Sequence, residues 1–103
     1  MSEAAIQSAI LLAFGALPGV LMWRQNVGAA RSPTGGIVRF GRPGMPDIFA
    51  IVRGRFVGIE VKSQTGRQRP EQKRWQAACE AAGGVYILAR KVEDVRAVLE
   101  SLP

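Results

Sequence analysis

Apolar residues Ile6, Ile10, Ala13, Phe14 and Leu17 recur every three or four positions from Glu3 to Leu17, the period of an amphipathic helix. Ser2 stands where an N-cap belongs, and Gly15, Pro18 and Gly19 end the segment. Val20–Trp23 is a short run of large apolar residues and predicts a strand. From Asn26 to Gly36 the residues Gly28, Pro33, Gly35 and Gly36 interrupt any period and predict a surface loop, after which Ile37–Phe40 resumes an extended pattern. Gly41, Pro43, Gly44 and Pro46 then lead into Ile48–Val52, an unbroken apolar stretch of the buried-strand type. Gly54 marks a turn, and Phe56–Lys62 alternates, with Ile59 and Val61 on one face and Glu60 and Lys62 on the other. Ser63–Arg69 is polar and basic. Pro70 fits the first position of a helix whose stripe is Trp75, Ala78, Cys79 and Ala82, and Gly83-Gly84 stops it. Val85–Ala89 predicts another buried strand, and Val92, Val95, Val98, Leu99 and Leu102 line one face of a last helix. The order α-β-β-β-α-β-α predicts a single α/β domain over residues 1–103, a mixed central sheet flanked by helices.

Composition changes the picture mainly by exclusion. The chain has 103 residues, 48% of them hydrophobic, so it can bury one core and has no room for a second. Histidine is absent and Cys79 is the only cysteine. Ser-His-Asp and Cys-His catalysis, zinc fingers and zinc hydrolases are thereby ruled out, and any metal must sit on oxygen ligands. A lone cysteine needs no oxidising compartment, so a reducing cytoplasm is expected. Fourteen Lys and Arg against eight Asp and Glu give a net charge of +6, the footprint of a protein that meets a polyanion. The apolar run Ala9–Val20 is too short and too broken to span a bilayer, so no membrane partner is expected.

Candidate chemistry follows from one turn. If Arg53 and Gly54 form a two-residue hairpin loop, positions summing to 107 face each other and Asp47 falls opposite Glu60. A three-residue loop would shift that register. Facing carboxylates repel unless a positive charge lies between them, and an oxygen-only cluster suits a hard cation such as Mg²⁺ or Mn²⁺. Lys62 points to the same face as Glu60.

Pro46-Asp47, twelve residues, and Glu60-Val61-Lys62 have the form of the PD-(D/E)XK nuclease motif. With Gly41-Arg42-Pro43-Gly44-Met45, Ile59, Thr65-Gly66-Arg67, Gln72, Gly83-Gly84-Val85, Glu3 and Arg24-Gln25-Asn26-Val27-Gly28, nearly the whole chain resembles the virus-type replication-repair nuclease domain, VRR-NUC. The resemblance implies a restriction-endonuclease-like fold and Mg²⁺- or Mn²⁺-dependent hydrolysis of DNA phosphodiesters. It implies that Asp47, Glu60 and the backbone carbonyl of Val61 bind the metal, with Glu3 completing the shell. Lys62 would hold the nucleophilic water or neutralise charge on the phosphate, and Gln72 would orient Lys62 or that water. Compact stand-alone members resemble Holliday-junction resolvases, which implies a homodimer acting on branched DNA in the cytoplasm of a bacterial or phage-infected cell.

Plainer readings stand beside these. Glu60 and Lys62 also fit a solvated strand face, Asp47 a turn position and Glu3 a helix-dipole partner in a first turn. Trp23 and Trp75 fit a core, with base stacking as the alternative. Arg67, Arg69, Lys73 and Arg74 form one candidate DNA-contacting cluster, and Arg24, Arg31, Arg39 and Arg42 meet no acidic residue in the stretch before Asp47 and form another. Two alternatives to a resolvase are a flap-directed nuclease with the same active site and a module that holds nucleic acid without cutting it. The apolar faces of the first and last helices are the candidate dimer contacts.

Overall fold

Arg53 and Gly54 both adopt positive φ, 48° and 85°, the signature of a type I′ turn, whose twist matches that of the strands it joins. In the computed structural model, which describes residues 1–25 and 28–103 and gives residues 28–30 and 38–40 as backbone, this turn joins β4 (Ile48–Val52) to β5 (Arg55–Val61). The two pair antiparallel with Val52 opposite Arg55 and Ile48 opposite Ile59. This is the register of a two-residue loop.

β1 (Val20–Arg24) adds antiparallel to β4, and β6 (Val85–Ala89) adds parallel to β5, giving a mixed sheet in the order β1-β4-β5-β6. Helix α1 (Glu3–Phe14) precedes β1, α2 (Pro70–Ala81) makes the crossover from β5 to β6, and α3 (Val92–Ser101) follows. Ser2 caps α1, its side chain accepting the Ala5 N–H. On one sheet face Ile48, Ala50, Val52, Val57, Ile59, Val61, Ile87 and Ala89 meet Ile6, Ile10 and Phe14 of α1 and Val95 and Leu99 of α3. Each large aliphatic or aromatic side chain buried there contributes roughly 1.5–3 kcal/mol of transfer free energy.

The opposite face is aromatic. Trp23, Phe49, Phe56, Trp75 and Tyr86 form a continuous chain with ring centroids 5.2 to 6.1 Å apart. Gly58 lies between Phe49 and Tyr86 in the ladder, and a Cβ there would come 2.8 Å from Pro46 Cγ and 3.4 Å from the Trp75 ring. The missing side chain lets Pro46 and Trp75 settle on the sheet. Pro46 then carries Asp47 to the position across from Glu60.

The structure refines the elements expected from the pattern. Helix α1 ends at Phe14 rather than Leu17, because Gly15 closes it on the Leu11 carbonyl and Pro18 disfavours helical backbone at Leu17. The stretch expected as a loop before Gly36 holds β2 (Gly28–Arg31), which pairs with β3 (Ile37–Phe40) as a separate two-stranded hairpin. Gly-Ala-Ala-Arg carries no alternating apolar pattern, so nothing in the hydropathy marks it as a strand. Its loop is tied by Ser32, whose N–H donates to the Gly36 carbonyl at 2.7 Å and whose hydroxyl accepts the Gly36 N–H at 3.0 Å. Ile6, Ile10 and Phe14 of α1 and Val95 and Leu99 of α3 are buried in the core, whereas Leu12 of α1 stays exposed. The exposed large apolar residues include Leu21, Trp23 and Ile51, on the half of the sheet that α2 does not cover.

Candidate active site

The β4–β5 register, continued by one residue beyond Ile48 and Ile59, sets Asp47 across from Glu60. Asp47 Oδ2 accepts the backbone N–H of Val61 at 2.8 Å, and the Asp47 carbonyl accepts the Gln25 N–H at 2.7 Å. Asp47 is thus held from both neighbouring strands.

Glu60 is 3% exposed. One of its carboxylate oxygens, Oε2, lies 3.9 Å from Lys62 Nζ, and the other, Oε1, is buried without a hydrogen-bond partner among the described residues. Burial, then the charge of Asp47 and a hydrogen bond to it, push the Glu60 carboxyl up to about 8, while Lys62 and Arg69 pull the other way. A buried carboxylate oxygen without a protein donor, beside a second carboxylate, favours a proton, a water or a cation. The donor set is oxygen only, as a hard divalent cation prefers. The chemistry of Asp47 and Glu60 is compatible with such an ion.

Lys62 is itself buried, and its N–H donates to the Ala89 carbonyl at 3.0 Å, which ties it to β6. Glu3, brought by the first turn of α1, accepts the Ser63 N–H at 3.2 Å. Among the described residues no three acidic, His or Cys side chains converge as a metal cage, so the carboxylates present a pair with Glu3 at its margin. Gln72 is buried at the start of α2, where its Oε1 accepts the Arg69 N–H at 2.8 Å. No hydrogen bond joins it to Lys62 among the described residues.

The cations divide. Arg69 caps α2, pairs with Glu71 at 2.9 Å and acts electrostatically on Glu60. Arg67, Lys73 and Arg74 are exposed on the same loop and helix, and Arg42 on the turn that leads to Asp47. Arg24 instead follows the core face of β1 and donates to Ser8 Oγ of α1 at 3.2 Å, away from the face that carries Glu60. Arg31 is exposed at the end of β2. The Arg39 side chain and residues Asn26 and Val27 lie outside the described residues.

Two further groups bear on this site. Arg90 Nη1 donates to the carbonyls of Ser63 and Gly66, the latter at 2.7 Å, and so fixes the loop that follows Lys62. Tyr86, Gln68 and Gln76 form a network in which Gln68 Nε2 donates to the Tyr86 hydroxyl at 3.1 Å and to Gln76 Oε1 at 2.9 Å. Burial pushes the Tyr86 hydroxyl up to about 12, with Glu60 and Asp47 adding to the shift. Arg90 directly follows β6, so only the parallel β5–β6 register, which pairs Val61 with Ala89, reveals that it lies beside Lys62.

No family model and no curated protein matches this sequence. Among solved structures, a chain described as "VRR_NUC domain" superposes with a TM-score of 0.73 at 23% identity, covering 100% of this chain and 99% of that one. The four-stranded mixed sheet, its flanking helices and the β4–β5 hairpin that carries Asp47 and Glu60 are thus built on the fold of a VRR_NUC domain.

Proposed function

We propose that this protein is a Mg²⁺- or Mn²⁺-dependent deoxyribonuclease that hydrolyses phosphodiester bonds in branched DNA. The observation that carries this reading is the buried Glu60, across the hairpin from Asp47 and beside the buried Lys62 side chain, with one carboxylate oxygen that has no hydrogen-bond partner among the described residues. Asp47, Glu60 and the Val61 carbonyl would hold the cation. A divalent cation bound there supplies Lewis-acid polarisation of the phosphate and lowers the pKa of water.

The chain's own groups account for the rest. Lys62 Nζ donates to a phosphate oxygen and offsets the negative charge that develops in the transition state. Burial strengthens that interaction, since little solvent screens it. Glu3 and Arg90 both hold the Ser63–Gly66 backbone, which restrains the direction in which β5 delivers Lys62. Arg67, Arg69 and Lys73 supply sequence-independent phosphate contacts along the entrance.

The acting unit is a homodimer, because a two-fold axis presents one site to each of two symmetric strands of a four-way junction. The exposed Leu21, Trp23 and Ile51 offer apolar area for such a contact.

The test is incubation of labelled four-way junction, flap and linear duplex with the protein in Mg²⁺, Mn²⁺ or EDTA, beside Glu60→Gln. Symmetric, metal-dependent nicking of the junction, lost in Glu60→Gln with DNA binding retained, is the expected result. Cleavage that persists in Glu60→Gln removes the site assigned here. Binding without cleavage in every metal leaves a DNA-holding module, and cleavage of flaps alone keeps the site and discards the symmetric dimer.

A further inference from the structure

Between the turn that precedes Asp47 and helix α2 lies a groove of about 330 Å³ lined by Arg42, Pro43, Glu71, Arg74, Trp75 and Ala78, at the lower end of the range of roughly 300–1,000 Å³ for small-ligand sites. One wall is the turn Arg42–Met45. It has Pro43 and Gly44 at its central positions, Gly44 at φ 87°, and the Met45 N–H donating to the Arg42 carbonyl at 3.2 Å, as in a type II turn. The other wall is α2. The two are locked together at Gly44, where a Cβ would sit 2.2 Å from the Glu71 carbonyl oxygen.

The floor is the half-buried Trp75 indole, held from beneath by Phe49, stacked at 5.9 Å and 29°, and flanked by Phe56 and Tyr86. Arg42 and Arg74 are exposed, and neither belongs to a salt bridge among the described residues. Glu71 is already paired with Arg69. The groove therefore combines a rigid aromatic surface with two available cations.

We infer that this groove binds one unpaired nucleotide of the DNA strand, its base against Trp75 and its flanking phosphates on Arg42 and Arg74. The inference rests on the nuclease reading above. A flat, neutral base and an adjoining anion match an aromatic floor between guanidinium walls. A base inside a duplex has both faces stacked and cannot use the floor, so the groove selects strands that are single or opened at a branch. Its position follows from the chain, since Asp47 lies just beyond the Arg42–Met45 turn and Arg69 and Gln72 begin the helix that forms the other wall. The bound nucleotide lies next to the bond to be cut, and strand opening becomes part of substrate recognition.

The experiment uses the full chain in EDTA, where no cleavage occurs. Trp23→Phe leaves Trp75 as the only tryptophan, since the chain has two. Its emission is titrated with oligothymidylate and with blunt duplex of equal length. Saturable quenching by the single strand and little by the duplex is expected. Arg42→Ser with Arg74→Ser, and separately Ala78→Met, which fills the groove from an exposed helix position, are expected to weaken single-strand affinity about tenfold and duplex affinity far less. Equal quenching by both DNAs, or unchanged single-strand affinity in Ala78→Met and in the double arginine variant, overturns the inference. Failure of every DNA to bind overturns the nuclease reading with it. Metal-dependent cleavage without a Trp75 response overturns the groove alone.

Discussion

Asp47 Oδ2 accepts the N–H of Val61 at 2.8 Å, so the carboxylate across from Glu60 is pinned by the backbone of the residue that follows Glu60. The hydrogen bond fixes one negative charge at a site where the buried Glu60 Oε1 has no donor among the described residues. Glu60 answers by holding its proton up to about pH 8. On the proposed metal-dependent reading, proton and cation would compete for one position.

This competition sets a pH dependence of stability. The unfolded Glu60 ionises near 4.5 and the folded one near 8. Between those values the native state binds the extra proton, so stability is full below about pH 4.5 and falls as pH rises toward 8. Calorimetric melting in EDTA is expected to show a falling midpoint across this window, flattened in Glu60→Gln. Added Mg²⁺ should raise the midpoint most at the alkaline end, where the carboxylate is free to bind it. A rising midpoint in EDTA would show that Glu60 is ionised in the folded protein at neutral pH.

Lys62→Met keeps much of the buried alkyl stem and removes the charge. Single-turnover cleavage is expected to fall by about 10²–10³-fold, the range for losing one preorganised donor to a developing oxyanion, with DNA affinity nearly unchanged. Lys62→Arg should recover only part, because the planar guanidinium does not fit the space of a compact ammonium. A loss confined to KM would place Lys62 in ground-state binding instead.

The hairpin and its facing carboxylates were legible in the sequence because a two-residue loop fixes the register arithmetically. Val52 and Arg55 close it as that rule requires. Helices α2 and α3 and strand β6 were legible from Pro70, Gly83-Gly84 and the apolar periods. What stayed hidden depends on long-range pairing. β2 has no amphipathic pattern to betray it, and Arg90 reaches the Ser63–Gly66 loop only through parallel pairing of β6 with β5. Gln72 entered the candidate site through the family resemblance alone, and its hydrogen bond to the Arg69 N–H is a matter of helix capping that spacing does not distinguish from a catalytic contact.

Gly44→Ala combines two penalties, a positive φ of 87° and a Cβ 2.2 Å from the Glu71 carbonyl oxygen. The Arg42–Met45 turn must then lift from α2. A destabilisation of about 1–3 kcal/mol in urea unfolding is expected, with weaker DNA binding, since Arg42 moves with the turn. Unchanged stability would mean that the turn relocates without cost.

Arg53 occupies a left-handed position at φ 48°, yet its guanidinium donates to the carbonyls of Leu99, Leu102 and Pro103 at 3.3, 2.9 and 2.9 Å. It ties the β4–β5 turn to the last turn of α3, where a cation also complements the helix dipole. Arg53→Gly relieves the backbone and removes the cap. A net loss of about 1 kcal/mol is expected after discounting for solvent exposure, with Arg53→Asn, which also tolerates this backbone, losing a similar amount. A gain in stability for both would show that backbone strain outweighs the cap.

Arg90 should influence chemistry without touching the phosphate. Its Nη1 bonds to the Ser63 and Gly66 carbonyls, and the Ser63 N–H in turn donates to Glu3, so one guanidinium fixes the segment joining Lys62 to Arg67 and Arg69. Arg90→Met preserves apolar bulk and frees those carbonyls. If Arg90 positions Lys62, kcat is expected to fall about tenfold through misplacement of the reacting groups, with a smaller change in KM and about 1–2 kcal/mol lost from stability. Arg90→Lys, which keeps a donor to the same carbonyls, should recover part of kcat. Equal stability loss in both variants with kcat intact would confine Arg90 to holding the fold. The two readings differ physically in whether the Ser63–Gly66 loop transmits its position to the strand end that delivers Lys62.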